Sequence, residues 1–513
     1  MKYLLTWAAI IAALFIALFG IAWYSGVNVP TGILLMGAMV IAAVFVANDL
    51  KRPQPKEYYH KAARYPSIPD KYLHSNPISE SVVFGTDHHT GKLVQAEVGH
   101  HTLICGSTGS GKTATCLIPS ILSCTSGSKQ IVDIKSRELA YKTADTKGPN
   151  TFIVDMNIKA PYTWGWDIFY KLKKDGTDTE QDVLSAVREV ASVIIPKAES
   201  GDGFWNDAAR NEFIGLTLFE FCYNGNHEFI DICRSMQTVP LREHMETALN
   251  TVKKDSLVAA FLTGLAATAD ETLFSIDITL NQALFIFLSD EIVYFLRDNP
   301  RRADPLLLDK NGTSMYVCVS EEKLDSGFDR IICIVLKQTL MQIQSRTTTG
   351  TYPQTMLYWD EWQRLTESVP ELRACTSTFL KTGRSKHATA VLAVQNLDNF
   401  KKEVIYDILS NIHYIYVLAS NNANSLTSEV VCKMAGSYFE KEKTYSQSNS
   451  TSISTSYKEK QILRPEDLNQ LGDDGVLLIS NHGYVRTNKE GSAYYKTEPF
   501  KSQYERIMAI NSC

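Results

Sequence analysis

The sequence predicts an α/β fold: one open sheet, interrupted by a helical segment and preceded by a pair of apolar helices. Three observations predict it. Residues 101–123 read as strand, glycine-rich loop and helix, and further short apolar strands recur between helical stretches. Strand signals become scarce between Gly176 and Lys310, where helical periodicity takes over. No charged side chain occurs from Tyr3 to Asn48. Composition fits this outline: 513 residues exceed one ordinary domain, and 44% hydrophobic with 21% charged residues describes a chain with ample core. A mean hydropathy of −0.12 excludes a polytopic membrane protein, and a formal charge of −5 excludes a global basic field for nucleic acid. Ten cysteines, from Cys105 to Cys513, form no CxxC pair, which argues for reduced thiols and against a zinc ribbon or disulfide framework.

The N-terminus is segregated. Leu4–Trp23 and Thr31–Val46 with its flanks are each long enough to cross roughly 30 Å of hydrocarbon. Gly26, Asn28 and Pro30 form the turn between them, and Trp7, Trp23 and Tyr24 sit where aromatic rings favour the interface. Lys2 precedes the first span, while Lys51, Arg52, Lys56, Lys61 and Arg64 follow the second. The positive-inside bias puts both ends in the cytoplasm. A cleaved signal peptide is the poorer reading, because a second apolar span follows the first. Residues 1–50 are therefore expected to form a two-helix membrane hairpin and 51–71 a polar, proline-dotted linker.

Next comes His101–Cys105, an apolar strand, and then Gly106-Ser107-Thr108-Gly109-Ser110-Gly111-Lys112-Thr113, which fits G-x-x-x-x-G-K-[ST] at every fixed position. Glycines let backbone N–H groups curl around phosphate oxygens, and the following helix adds its partial positive N-terminus. Lys112 is placed to reach β- and γ-phosphates, and the Thr113 hydroxyl to ligate magnesium. The expected ligands are ATP and Mg2+.

A phosphate cradle needs a second acidic site, and Thr355–Trp359 is an apolar strand closing on Asp360 and Glu361. Asp360 is expected to orient the magnesium and Glu361 to polarise the attacking water. An adjacent glutamate favours hydrolysis over transfer to a small acceptor, hence an ATPase. Further strands are read at 130–133, 152–155, 314–319, 388–395 and 412–418. Gln395 ends one of them, where its amide is placed to sense the γ-phosphate. Lys381, Arg384 and Lys386 lie just before the same strand, and one of the three, Arg384 among them, is expected to reach a neighbouring subunit's phosphate as an arginine finger.

Taken in order, these residues resemble the type IV coupling proteins, membrane-anchored ATPases of conjugation and type IV secretion. The resemblance runs from the two-span N-terminus through Gly106–Thr113 and on to Pro119. It continues through Asp133-Ile-Lys135, Phe204-Trp205-x3-Ala209, Asp360-Glu361, Gln395 and Leu463-Arg-Pro-Glu-Asp-Leu468. It implies a RecA-like nucleotide-binding domain in two parts, 72–175 and 311–513, with an all-α domain, 176–310, inserted between them. It also implies an inner-membrane hexamer that recruits a relaxase and its DNA to the components of a type IV secretion channel. Where the family writes Asp-Pro-Lys-Gly-Glu, this chain has Asp133-Ile-Lys-Ser-Arg-Glu138, with the glutamate one position later. A chromosome-segregation DNA translocase and a nucleotide-binding receptor without motor activity are the alternatives. The first would be marked by a C-terminal winged helix, which does not show after Ser502.

The inserted segment carries 11 Lys and Arg against 22 Asp and Glu, a net −11, leaving +6 on the remainder. Such acidity suits basic protein cargo better than phosphates. Phe204 and Trp205 are read as core anchors of that segment, Tyr445–Tyr457 as a mobile Ser/Thr-rich loop, and His88, His89, His100 and His101 as lacking a cysteine or acid at ligand spacing. No Ser-His-Asp or Cys-His nucleophile pattern emerges.

Overall fold

The computed structural model describes residues 24–25 and 67–512, except 136, 158, 161, 198–202, 368, 399, 420–424, 448–450 and 481–482. The predicted hairpin, apart from two residues, and most of the predicted linker lie outside the described residues. Tyr65–Cys513 forms one compact unit.

In chain order its strands are β1 (Leu73–His74), β2 (Val83–Thr86), β3 (Leu93–Gln95), β4 (Thr102–Cys105), β5 (Ser128–Asp133), β6 (Thr151–Asp155) and β7 (Thr163–Trp166). After the helical segment come β8 (Arg302–Ala303), β9 (Ser314–Cys318), β10 (Thr355–Trp359), β11 (Ala388–Val394) and β12 (Tyr414–Val417). A ribbon of β13 (Ser437–Gln447) and β14 (Thr451–Gln461) precedes β15 (Asp474–Ile479) and β16 (Gly483–Asn488). One sheet takes 14 of them, in the order β1-β3-β2-β16-β15-β12-β4-β11-β10-β5-β9-β6-β7-β8. From β12 to β8 every neighbour is parallel, and beyond β12 the pairing turns antiparallel.

Parallel strands covered on both faces must be apolar on both, and these are. Leu103, Val132, Val317, Trp359 and Leu392 face one apolar cluster, while their neighbours Ile104, Ile131, Tyr316, Tyr358 and Val391 face the other. Burying one side chain of this size contributes about 1.5–3 kcal/mol. The parallel register also places every strand's C-terminal end on one edge. Loops leaving β4, β5, β10 and β11 therefore converge there, as α/β sheets arrange their sites.

Between Glu180 and Asp298 the described elements are all helical. Glu180–Ile194 starts at a capping box, in which Thr179 and Asp182 satisfy each other's backbone donors. Phe204–Cys222 follows and packs Phe213 and Leu216 inward. These helices have no core of their own: Val187, Phe213 and Leu262 belong to the same apolar cluster as Val132, Val317 and Trp359. Among the described residues, Asp270–Leu288 is the one helical stretch long and apolar enough to cross a membrane. It lies within this segment and buries Leu273, Ile276 and Leu280.

Two expectations are corrected. Phe204 and Trp205 are not core anchors: they are 47% and 37% exposed, and their rings meet edge to face at 5.1 Å. They occupy the first turn of their helix, whose inward face begins only at Ala208 and Ala209. Residues 445–447 and 451–457 are not a loop but belong to the ribbon, whose strands pair antiparallel over 11 rungs from Ser437↔Gln461 to Gln447↔Thr451. Tyr, Ile and Thr favour extended backbone, and ladder pairing satisfies peptide groups that a bare loop would leave to water.

Candidate functional site

Residues 106–113 leave the C-terminal end of β4 as a tight loop. Glycine is required at its first position, since a Cβ on Gly106 would stand 2.5 Å from Ser110 Oγ and 3.0 Å from Leu418 Cβ. Gly109 and Gly111 adopt φ of 77° and 96°, the left-handed region that only glycine enters freely. Alternation of this kind curls backbone N–H groups around a concavity suited to an anion. Lys112 opens the helix that follows and is buried, its ammonium donating to the Gly106 carbonyl at 2.5 Å. Burial lowers its pKa, although the Glu361 and Asp360 carboxylates oppose the shift.

Asp360 and Glu361 stand at the end of β10, each 2% exposed. Glu361 adopts φ 51°, a left-handed value that costs a non-glycine residue about 1 kcal/mol or more. Donors from three elements hold its carboxylate in return. Lys135 Nζ donates to Oε1 at 2.7 Å, Gln395 Nε2 to Oε1 at 3.1 Å, and Gln363 Nε2 to Oε2 at 2.8 Å. Burial pushes the Glu361 carboxyl up, but Lys135, then Gln395 and Lys112, bring it net below the usual carboxylate range. Asp360 moves the other way: burial, with Glu361 alongside, raises it despite Lys135 at 3.4 Å.

Strand order explains this convergence. β11 lies between β4 and β10, so Gln395, just past its end, reaches Glu361 from the cradle side. β5 flanks β10 on the other side, and Lys135, two residues past its end, reaches both acids. The structure thus brings together Lys112, Asp360, Glu361 and Gln395, and adds Lys135, whose position two residues after a strand-ending Asp was the available signal. The displaced Glu138 is not in this cluster. It begins a short helix and pairs with Lys142 at 2.6 Å, while Asp133 caps the same helix through Ala140 N–H at 2.8 Å.

Arg384, Lys381 and Lys386 are placed elsewhere. They precede β11, whose seven residues at about 3.3 Å each put them about 20 Å from the cradle edge. Lys381 pairs with Asp407 at 2.9 Å, Lys386 donates to the Arg346 carbonyl, and Arg384 is exposed. None of the three serves the phosphate site of its own chain.

The histidines are accounted for locally. His88 pairs with Asp474 at 3.0 Å, and His101 accepts the Ala390 N–H, with burial lowering its pKa to about 4. An acid does stand near His100 after all: Glu97, His100 and His413 bring potential ligand atoms within 4.8 Å of one another. Glu97 pairs with Lys71 at 2.9 Å, and the two rings lie 4.3 Å apart, tilted by 31°. The nine cysteines among the described residues are free thiols.

A glycine-lined anion cradle facing a buried Asp-Glu pair, on a parallel sheet with one strand interposed, defines a P-loop ATPase. The sequence signature of the family described as Type IV secretory system Conjugative DNA transfer matches residues 67–512, and the chain belongs to that family. It is a coupling ATPase of conjugative DNA transfer. Among solved structures, it is similar to the bacterial conjugative coupling protein TrwBdeltaN70 in its unbound form. They share 15% identity over 76% of this chain and 84% of that one, at a TM-score of 0.58. It is also similar to TrwB in complex with a non-hydrolysable ATP analogue and with a non-hydrolysable GTP analogue. Each shares 14% identity over 76% of this chain and 85% of that one, at a TM-score of 0.57. A comparison with curated proteins gives no match.

Proposed function

We propose that residues 106–113 cradle the triphosphate of ATP. Lys112 sets its charge on the β- and γ-phosphates, Glu361 polarises the attacking water, and Gln395 links the γ-phosphate to Glu361. The observation that carries this reading is the half-buried Lys135–Glu361–Gln395 cluster beside Lys112, in which donors from two strand ends hold an ionised base. The binding of ATP and GTP analogues by TrwB supports the choice of ligand.

Magnesium fits the residues present: the Thr113 hydroxyl and the buried Asp360 carboxylate are hard oxygen donors, and Ser110 Oγ in the same loop is buried without a hydrogen-bond partner among the described residues. Thr113 and Asp360 would hold the ion, which when bound neutralises phosphate charge. Lys135 keeps Glu361 ionised, and the left-handed backbone at Glu361 aims it out of the strand.

ATP hydrolysis then drives transfer of a relaxase and its DNA into a type IV secretion channel. Arg384, exposed and remote from its own cradle, is proposed as the finger that completes a neighbouring copy's site in a homo-hexamer. Residues 1–50 are proposed as an inner-membrane hairpin with both ends cytoplasmic. The segment 176–310, net −11, is proposed as the all-α domain that docks the basic cargo, between nucleotide-binding parts at 72–175 and 311–513. The test is ATP turnover by the purified full-length protein, with and without single- and double-stranded DNA. Turnover raised by DNA is expected, and turnover that neither strand form changes would contradict a DNA motor.

A further inference from the structure

The helix that carries Lys112 begins in an unusual register. After Thr115 N–H donates to Gly111 O, four residues back, the register widens to five residues, with Ile118 N–H donating to Thr113 O, before the helix continues as an ordinary one over Ile118–Ser123. Such wide turns gather at functional sites. In the five-residue register the Ala114 carbonyl looks to the N–H of residue 119, and in the four-residue register the Thr115 carbonyl does. Residue 119 is proline and has none.

Both carbonyls are met from the far end of the chain. Tyr494 N–H donates to Ala114 O at 3.2 Å, and Ser492 Oγ to Thr115 O at 2.6 Å. One turn earlier, Lys489 donates its ammonium to the Ser110 carbonyl, inside the glycine-rich loop, at 3.0 Å. Lys489 is only 7% exposed and Ser492 is fully buried. The base beneath them is tight: Thr487 Oγ1 donates to Phe84 O at 2.5 Å, and a Cβ on Gly85 would stand 2.5 Å from Asn488 O. A buried ammonium is costly to place unless it is bonded. Here its acceptor is the loop that precedes Lys112.

We propose that Lys489, Ser492 and the Tyr494 backbone clamp the nucleotide cradle, and that Lys489 is a positioning residue for nucleotide binding. This rests on the reading of 106–113 as that cradle. Lys489 fixes the Ser110 peptide, and with it the N–H groups of Gly111 and Lys112 that meet the phosphates. Ser492 and Tyr494 hold the helix start in the register that Pro119 leaves incomplete.

The experiment compares full-length Lys489→Met, Ser492→Ala and Lys112→Ala with the parent, measuring ATP KM, kcat, the Kd of a fluorescent ATP analogue with magnesium, and Tm. Losing a charged hydrogen bond in Lys489→Met should raise KM and Kd about tenfold, with kcat within about threefold. Ser492→Ala should move KM and Kd in the same direction by less. A merely structural role would instead lower Tm and the active fraction at parental KM. Parental KM and Kd in folded Lys489→Met overturn the clamp. Should that variant not fold, parental values in Ser492→Ala overturn it. Loss of binding in Lys112→Ala beside parental Lys489→Met removes the clamp alone, whereas parental binding in Lys112→Ala removes the cradle and the clamp with it.

Discussion

Lys135 governs the charge of the acid pair. Its ammonium is the largest influence opposing burial on Glu361, and it faces Asp360 as well. Glu361 lies net below the usual carboxylate range, so it is ionised at neutral pH and gains a proton only as pH falls through that lowered value. Lys135→Met removes the cation and raises the Glu361 pKa, so the acid limb of the pH–activity profile should move upward. At pH 6 the variant should lose more activity relative to the parent than at pH 8, measured as ATP turnover across that range. Asp360→Asn should instead weaken the magnesium dependence, seen as a higher magnesium concentration at half-maximal turnover. That Lys112, Asp360, Glu361 and Gln395 converge was legible in the sequence, because Lys112 stands in a contiguous motif after β4 and the others lie within two residues of a strand end. Lys489 was not: it meets Ser110 across 379 residues, and nothing local to Lys489 marks it. Arg384 was legible as a cation preceding β11, a position that already sets it at the edge of the sheet opposite the cradle.

Among the helices, Glu212 of Phe204–Cys222 and Asp277 of Asp270–Leu284 face each other as two carboxyls. Burial first, then the Asp277 charge, holds Glu212 well above the usual carboxylate range, protonated at neutral pH. A raised acid pKa means that the unfolded chain releases this proton before the folded one does. Stability is therefore lost as pH rises above the ordinary glutamate value, by up to about 1.4 kcal/mol per pH unit. Glu212→Gln cannot ionise, so its Tm should equal or exceed the parent's at pH 8, with the advantage shrinking towards pH 5. A Tm difference that does not change with pH would contradict the assignment. Elements of this kind were largely legible: the strands at 128–133, 151–155, 314–318, 355–359, 388–394 and 414–417 coincide with apolar runs that end in polar residues. The ribbon was not, because Ser and Thr alternation carries no apolar face, and its ladder depends on pairing that no single strand displays.

At the scale of the whole molecule, charge and core divide differently. The helical segment carries −11 and the rest +6, yet its helices share one apolar cluster with a face of the sheet. The sequence shows the first fact by counting and hides the second, since periodicity marks an apolar face but not what covers it. Excising the segment would expose that shared face, so docking is better tested by charge reversal at exposed acids. Glu243→Lys, Glu246→Lys and Glu271→Lys together should weaken retention of a relaxase several-fold in a pull-down at physiological salt, where screening acts over about 8 Å, and should not weaken DNA binding. Unchanged retention would move the docking surface elsewhere. The account as a whole depends on the acid pair serving the cradle as catalyst and not as a helix cap. The most direct measurement is ATP turnover by full-length Glu361→Gln, alongside its affinity for the nucleotide with magnesium. The variant keeps shape and one acceptor oxygen but is no base, so turnover should fall at least about 100-fold while the nucleotide still binds; turnover within a few-fold of the parent would contradict the account.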